Sequence, residues 1–141
     1  MPAGSRNARK NAVLSVPAKV SLIGRRGYPV VWDDDSNAVD LTQDDMASCC
    51  GVLLSEAEQG RHVSIATLGY AGTLFLKIAG SVERFSPLKL SAMIPEPFML
   101  FGAPVDGIHG PDTYVAIALE AGSPGAMIEA ALLPQFFHDP P

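Results

Sequence analysis

The sequence predicts an all-β chain, folded as a compact β-barrel or jelly-roll-like sandwich, and three observations carry that expectation. About ten short apolar, β-branched or aromatic runs alternate with turn residues every 6–12 positions or so. The 141 residues include 13 glycines and 12 prolines, which punctuate those runs. Two stretches also say nearly the same thing. Gly51-Val-Leu-Leu-Ser-Glu-Ala-Glu-Gln-Gly-Arg-His-Val-Ser-Ile-Ala is one, and Val115-Ala-Ile-Ala-Leu-Glu-Ala-Gly-Ser-Pro-Gly-Ala-Met-Ile-Glu-Ala is the other. Each reads as an apolar strand ending in Glu-Ala, a tight turn closed by Gly, and a second strand.

In chain order, residues 1–12 are small, polar and basic, and cannot offset the entropy of ordering on their own. Val13–Val16 and Lys19–Ile23 are short β-type runs on either side of Pro17, and Gly24-Arg25-Arg26-Gly27 is a turn. Tyr28–Trp32 is a strand that Pro29 places at a sheet edge or at a strand start. Asp33-Asp34-Asp35-Ser36-Asn37 is a turn. Val39 and Leu41 alternate with Asp40 and Thr42, as in a half-exposed strand. A strand is expected over Met46–Leu54 and another over Arg61–Leu68. In Thr73–Ala79, Leu74, Leu76 and Ile78 share one face while Phe75 and Lys77 share the other. Leu88–Met93, Phe98–Phe101, Thr113–Leu119 and Ala126–Leu133 are the remaining strands. Ile94-Pro95-Glu96-Pro97 is extended, and the Gly- and Pro-rich span 102–111 is loop. Helix is expected at most in Gln43–Cys49 and Ser123–Ala131.

The chain is long enough for one domain with its own core. Its longest apolar runs, such as Thr113–Leu119, fall far short of the ~20 residues a spanning helix needs. The basic start lacks the apolar stretch and cleavage site of a signal peptide. The adjacent Cys49 and Cys50 are read as small buried or half-buried residues, since neighbouring cysteines fit disulfide geometry poorly. The net charge of −5 hides a separation. Arg6, Arg9, Lys10, Lys19, Arg25 and Arg26 all precede the first acidic residue, Asp33. Beyond that point four basic residues face all 15 acidic ones. The expected organisation is a basic arm over 1–26, a β-domain over 27–133 and a C-terminal tail over 134–141.

Motifs for chemistry are sparse. Asp33-Asp34-Asp35 offers carboxylates to a hard cation, but EF-hand spacing is absent, and a solvated turn fits better. His62, His109 and His138 are too scattered for a zinc site. His62 and Ser64 share a strand face, yet no Gly-x-Ser-x-Gly elbow exposes a serine. The glycine-rich turns lack the Lys-Ser/Thr ending of a phosphate loop. No catalytic residue, metal or cofactor is therefore expected, and the chain is not read as an enzyme. The basic residues suit an acidic protein surface. Nucleic acid is the rival partner, for a β-barrel protein with a basic tail. The lack of any aromatic residue before Tyr28 argues against base stacking there. Phe136 and Phe137 would be unfavourable if exposed, so they pack on their own domain or dock into a neighbouring subunit.

The segments Val52–Leu68 and Val115–Leu133, together with Arg26-Gly27-Tyr28-Pro29-Val30-Val31, resemble the head decoration, or capsid cement, proteins of tailed bacteriophages. The resemblance spans about residues 20–133. It implies a non-enzymatic virion protein on the outer capsid surface, made in the bacterial host cytoplasm. Such a protein bridges neighbouring major capsid subunits and self-associates, with a homotrimer favoured over a homodimer. The partner-binding residues are then Arg6, Arg9, Lys10, Lys19, Arg25, Arg26, Phe136 and Phe137. An extended arm of 25 residues would reach at most about 80–90 Å.

Overall fold

The structure is a computed structural model, and it describes residues 13–42, 49–92, 99–103 and 113–138. Ten strands account for its regular structure, with no helix among the described residues. They are β1 (Val13–Pro17), β2 (Pro29–Asp33), β3 (Ala38–Leu41), β4 (Gly51–Leu53), β5 (His62–Thr67), β6 (Thr73–Lys77), β7 (Pro87–Ala92), β8 (Met99–Gly102), β9 (Thr113–Ala118) and β10 (Met127–His138). They form two five-stranded antiparallel sheets, in the orders β1-β5-β4-β2-β3 and β6-β10-β9-β7-β8. Adding five to each strand number of the first order gives the second, so the chain is built twice from one plan.

The correspondence holds residue by residue. Val16 pairs with Val63 as Leu76 pairs with Ile128. Pro29 opens β2 opposite Val52, and Pro87 opens β7 opposite Ile117. A proline lacks the N–H of a full ladder and is tolerated at such a first position. The loops match too. Lys19 N–H donates to the Val39 carbonyl at 2.8 Å, and Ala79 N–H to that of Phe101 at 2.8 Å. Gly27 N–H donates to Leu53 at 2.8 Å, and Phe85 N–H to Ala118 at 2.7 Å. Gly60 (φ 85°) and Gly125 (φ 83°) close the equivalent turns. This left-handed backbone suits glycine, which has no Cβ to clash.

In each half a parallel bridge joins the two outermost strands' ends, Ala18 to Val39 in one and Ile78 to Phe101 in the other. Each sheet is thus curled until its margins meet. One core cluster fills the first half, with Val16, Leu22, Val30, Val39, Leu53, Val63 and Ile65 among its members, and Leu100 of β8 joins it. The other fills the second half, around Leu76, Ile78, Leu88, Phe101 and Ile128. It also takes in Cys49, Val52 and Ala66 from the first half. The halves are stitched by Lys77 N–H donating to the Gly27 carbonyl (2.9 Å) and Met99 N–H to that of Thr42 (2.7 Å).

Several expectations change. Residues 13–26, assigned to the arm, are the first strand and turn of the first sheet, with Leu22 fully buried. Lys19–Ile23 is bend and turn rather than strand. Ser123–Ala131 is a turn running into β10, because Gly125 and the inward Ile128 and Ala130 suit turn and strand rather than helix. The other helical candidate, Gln43–Cys49, lies outside the described residues except for Cys49. Residues 134–138, expected as tail, prolong β10, where Phe137 pairs with Tyr114 beyond a register shift. Thr42, expected half-exposed, is buried.

Candidate partner-binding surface

Of the six basic residues of the N-terminal stretch, Lys19, Arg25 and Arg26 are described, each in its own surroundings. Arg6, Arg9 and Lys10 lie outside the described residues. Lys19 follows the Ala18–Val39 bridge and leans over the β2–β3 hairpin. Its ammonium lies 3.5 Å from Asp33 Oδ2 and 3.9 Å from Asp40 Oδ2. At this partly exposed site the pairs hold the side chain in place rather than stabilise the fold much. Arg25 lies in the turn before β2, its guanidinium 5.3 Å from the ring centre of Tyr28 and its Nη1 donating to the phenol oxygen at 3.2 Å. Arg26, the next residue, is exposed. The backbones of Phe136 and Phe137 belong to β10, and their side chains lie outside the description.

The acidic triplet is a turn with internal work to do. Asp33 Oδ2 accepts from both the backbone N–H of Ser36, at 2.9 Å, and the Ser36 hydroxyl. The hydroxyl bond, then the backbone bond, and to a smaller degree Lys19, hold the Asp33 carboxyl below its ordinary pKa of 3.8. Asn37 completes the turn at φ 54°, a conformation asparagine tolerates. The described residues hold no group of three or more His, Cys, Asp or Glu arranged to bind a metal ion.

His62 does not turn to Ser64. Its Nδ1 lies 3.2 Å from Ser15 Oγ across the β1–β5 pairing, on an exposed face. Cys49 is buried and Cys50 half-buried, and both thiols are free. Burial pushes the Cys49 thiol up to about 12 and Cys50 up to about 11, so neither is a thiolate nucleophile at neutral pH.

Sequence reasoning missed a different set of residues, the exposed apolar ones. Leu14, Ile23, Trp32, Phe75, Phe85 and Met127 each present a large side chain to solvent. Phe85 stands out, because it adopts φ 69° where its counterpart in the first half is Gly27. Its ring lies under the Arg84 guanidinium, 4.7 Å from the ring centre. Aligning the two halves by Pro29 and Pro87, each two residues on, would have shown the Gly-to-Phe exchange from sequence. Aligning Gly60 with Gly125 would have corrected the Glu-Ala alignment. Leu22 N–H donates to Ala57 as Val82 N–H donates to Gly122, so Ala57 matches Gly122 and the two Glu-Ala pairs are one residue out of step. No helix among the described residues is long and apolar enough to cross a membrane. No family model and no curated protein matches the chain.

Proposed function

We propose that this chain is a virion structural protein that decorates and cements a phage capsid, bridging neighbouring major capsid subunits and self-associating as a homotrimer. The supporting observation is the pair of Gly-closed strand–turn–strand units. Their sequences resemble capsid-decorating proteins, and they hold equivalent places in the two sheets. In this reading each curled sheet is a small closed barrel, and the doubled framework is a rigid platform for contacts rather than a housing for chemistry.

The basic stretch ahead of β1 supplies the clamp. With β1 starting at Val13, the arm is residues 1–12, carrying Arg6, Arg9 and Lys10. Fully extended, a stretch of twelve residues would reach at most about 40 Å. Many weak contacts on one shell sum to a large stabilisation.

Co-sedimentation with capsids tests this reading. The full chain is expected to pellet with shells, and a variant lacking residues 2–12 is expected to stay folded and lose most of that binding. Binding should also weaken as ionic strength rises, since it relies on exposed charge. Undiminished decoration by the shortened chain would remove the clamp. Failure of the full chain to bind any shell, with retention of nucleic acid on a filter at physiological salt, would favour the nucleic-acid reading instead.

A further inference from the structure

The two halves share one plan but not one pattern of burial, and the differences fall on two faces. Val52 and Ala66, on the outward face of β4–β5, are 0% exposed because they enter the second half's core cluster. Their counterparts Ile117 and Ala131, paired with each other on the outward face of β9–β10, are only half-buried. The reverse holds at the other face. Leu74 and Leu90 of the second half are 7% and 6% exposed, whereas their counterparts Leu14 and Trp32 in the first half are 48% and 38% exposed. Strand pairing fixes the matches. Leu14 faces Ile65 as Leu74 faces Ala130, and Trp32 faces Val39 as Leu90 faces Phe101.

Within one chain, then, the outward β4–β5 face of the first half joins the core of the second. The first half keeps an apolar end, Leu14 and Trp32, that its twin has covered. The second half keeps an apolar face, Ile117 and Ala131, that its twin has used. We propose that these two unspent faces bind each other between copies of the chain, so that the Leu14–Trp32 end of one copy seats on the β9–β10 face of the next. The contact repeats between chains the one that already joins the halves within a chain. Its chemistry fits, because both faces are apolar at the positions that the internal contact buries. It is heterologous: two different faces meet, so copies follow head to tail and close into a ring when the rotation permits. A trimer closed this way would present six sheets of one plan, two from each chain. The proposal deepens the self-association in the preceding section, and its test uses no capsid, so its failure would leave capsid binding standing.

Two same-sign substitutions make the test specific. Trp32→Lys blocks the end, and Ile117→Lys blocks the face. A lysine at half-buried Ile117 can carry its charge out to solvent along its own stem. By sedimentation velocity the unaltered chain is expected to associate as its concentration rises. Each variant alone is expected to run as a monomer of 14.9 kDa. Mixed in equal amounts, the variants should form a complex of two chains and no larger, because each supplies the face the other lacks while the two lysine-bearing faces repel. If Ile117→Lys loses its far-ultraviolet circular dichroism signal, Ala131→Lys replaces it. A chain that stays monomeric at every concentration overturns the proposal. So does a mixture of folded variants that never pairs, which would mean one self-complementary patch or another occupant.

Discussion

At the residue scale, the clearest departure from backbone comfort is Phe85. Its φ of 69° places a bulky side chain in left-handed space, which costs an L-residue about 1–2 kcal/mol. Burial does not repay this, since the side chain is 63% exposed, and the stack on Arg84 returns only about 0.5–1 kcal/mol. Phe85→Gly is therefore expected to leave stability level or raise it by up to about 1 kcal/mol in urea unfolding. The reciprocal site behaves oppositely. At Gly27 (φ 86°) a Cβ would stand 2.7 Å from Met127 Cε and 3.1 Å from the backbone nitrogen of Lys77. Gly27→Ala should lower stability by more than about 1 kcal/mol, because the methionine can move aside and the backbone cannot. A lower stability for Phe85→Gly would mean that the ring packs where it now looks exposed. Gly51 is tighter still, its Cβ position colliding with the Ala66 carbonyl oxygen, so β4 and β5 approach closely only because residue 51 has no side chain.

At the element scale, strands whose faces differ were legible and those set by partners were not. Leu74, Leu76 and Ile78 alternate with Phe75 and Lys77, and the structure buries the first three and turns Phe75 outward. Pro29, read as marking an edge or a strand start, opens β2, and Pro87, read as preceding its strand, opens β7. The extent of β10 was hidden, because Pro134 argues for an end while the pairing resumes at Phe137 after a shift in register. Burial of the outward Val52 was hidden for another reason: it depends on the opposite half of the chain, to which local periodicity is blind. For the candidate site, position in sequence put Lys19 in a binding arm, and only the hairpin geometry gave it Asp33 and Asp40. The Cys49–Cys50 pair was read correctly as buried or half-buried, and it carries a pH consequence. Cys49 Sγ donates to the Gly51 carbonyl at 3.2 Å at the entry to β4, and burial lifts its pKa from an ordinary 9.0 to about 12. Between those values the unfolded chain loses the thiol proton that the folded chain keeps, so ionisation favours unfolding. Stability from this source is intact below about pH 9 and falls as pH rises from 9.0 toward about 12. Urea midpoints of the unaltered chain should drop more steeply across that window than those of Cys49→Ala, whose overall stability is lower. Parallel slopes would show that the thiol is accessible to base in the folded state.

At the scale of the whole molecule, the doubled plan raises the question of whether the halves unfold separately. Their cores answer against it. Cys49, Val52 and Ala66 are fully buried only because they sit in the second half's cluster, and Leu100 crosses the other way into the first. The Lys77–Gly27 and Met99–Thr42 hydrogen bonds would lose their partners if one half opened alone. Losing that shared surface raises the free energy of any half-folded state, which is the condition for two-state behaviour. Calorimetry at fixed protein concentration should therefore give a single transition with equal calorimetric and van't Hoff enthalpies. Val52→Ala probes the coupling directly. Removing two methyl groups from this fully buried site should cost about 2 kcal/mol and lower the midpoint by roughly 5 °C. Because Val52 belongs to the first sheet and packs in the second core, the whole transition should move as one. A split into two transitions, with only one of them shifted, would show that each curled sheet folds on its own and that the contact between halves is added afterward.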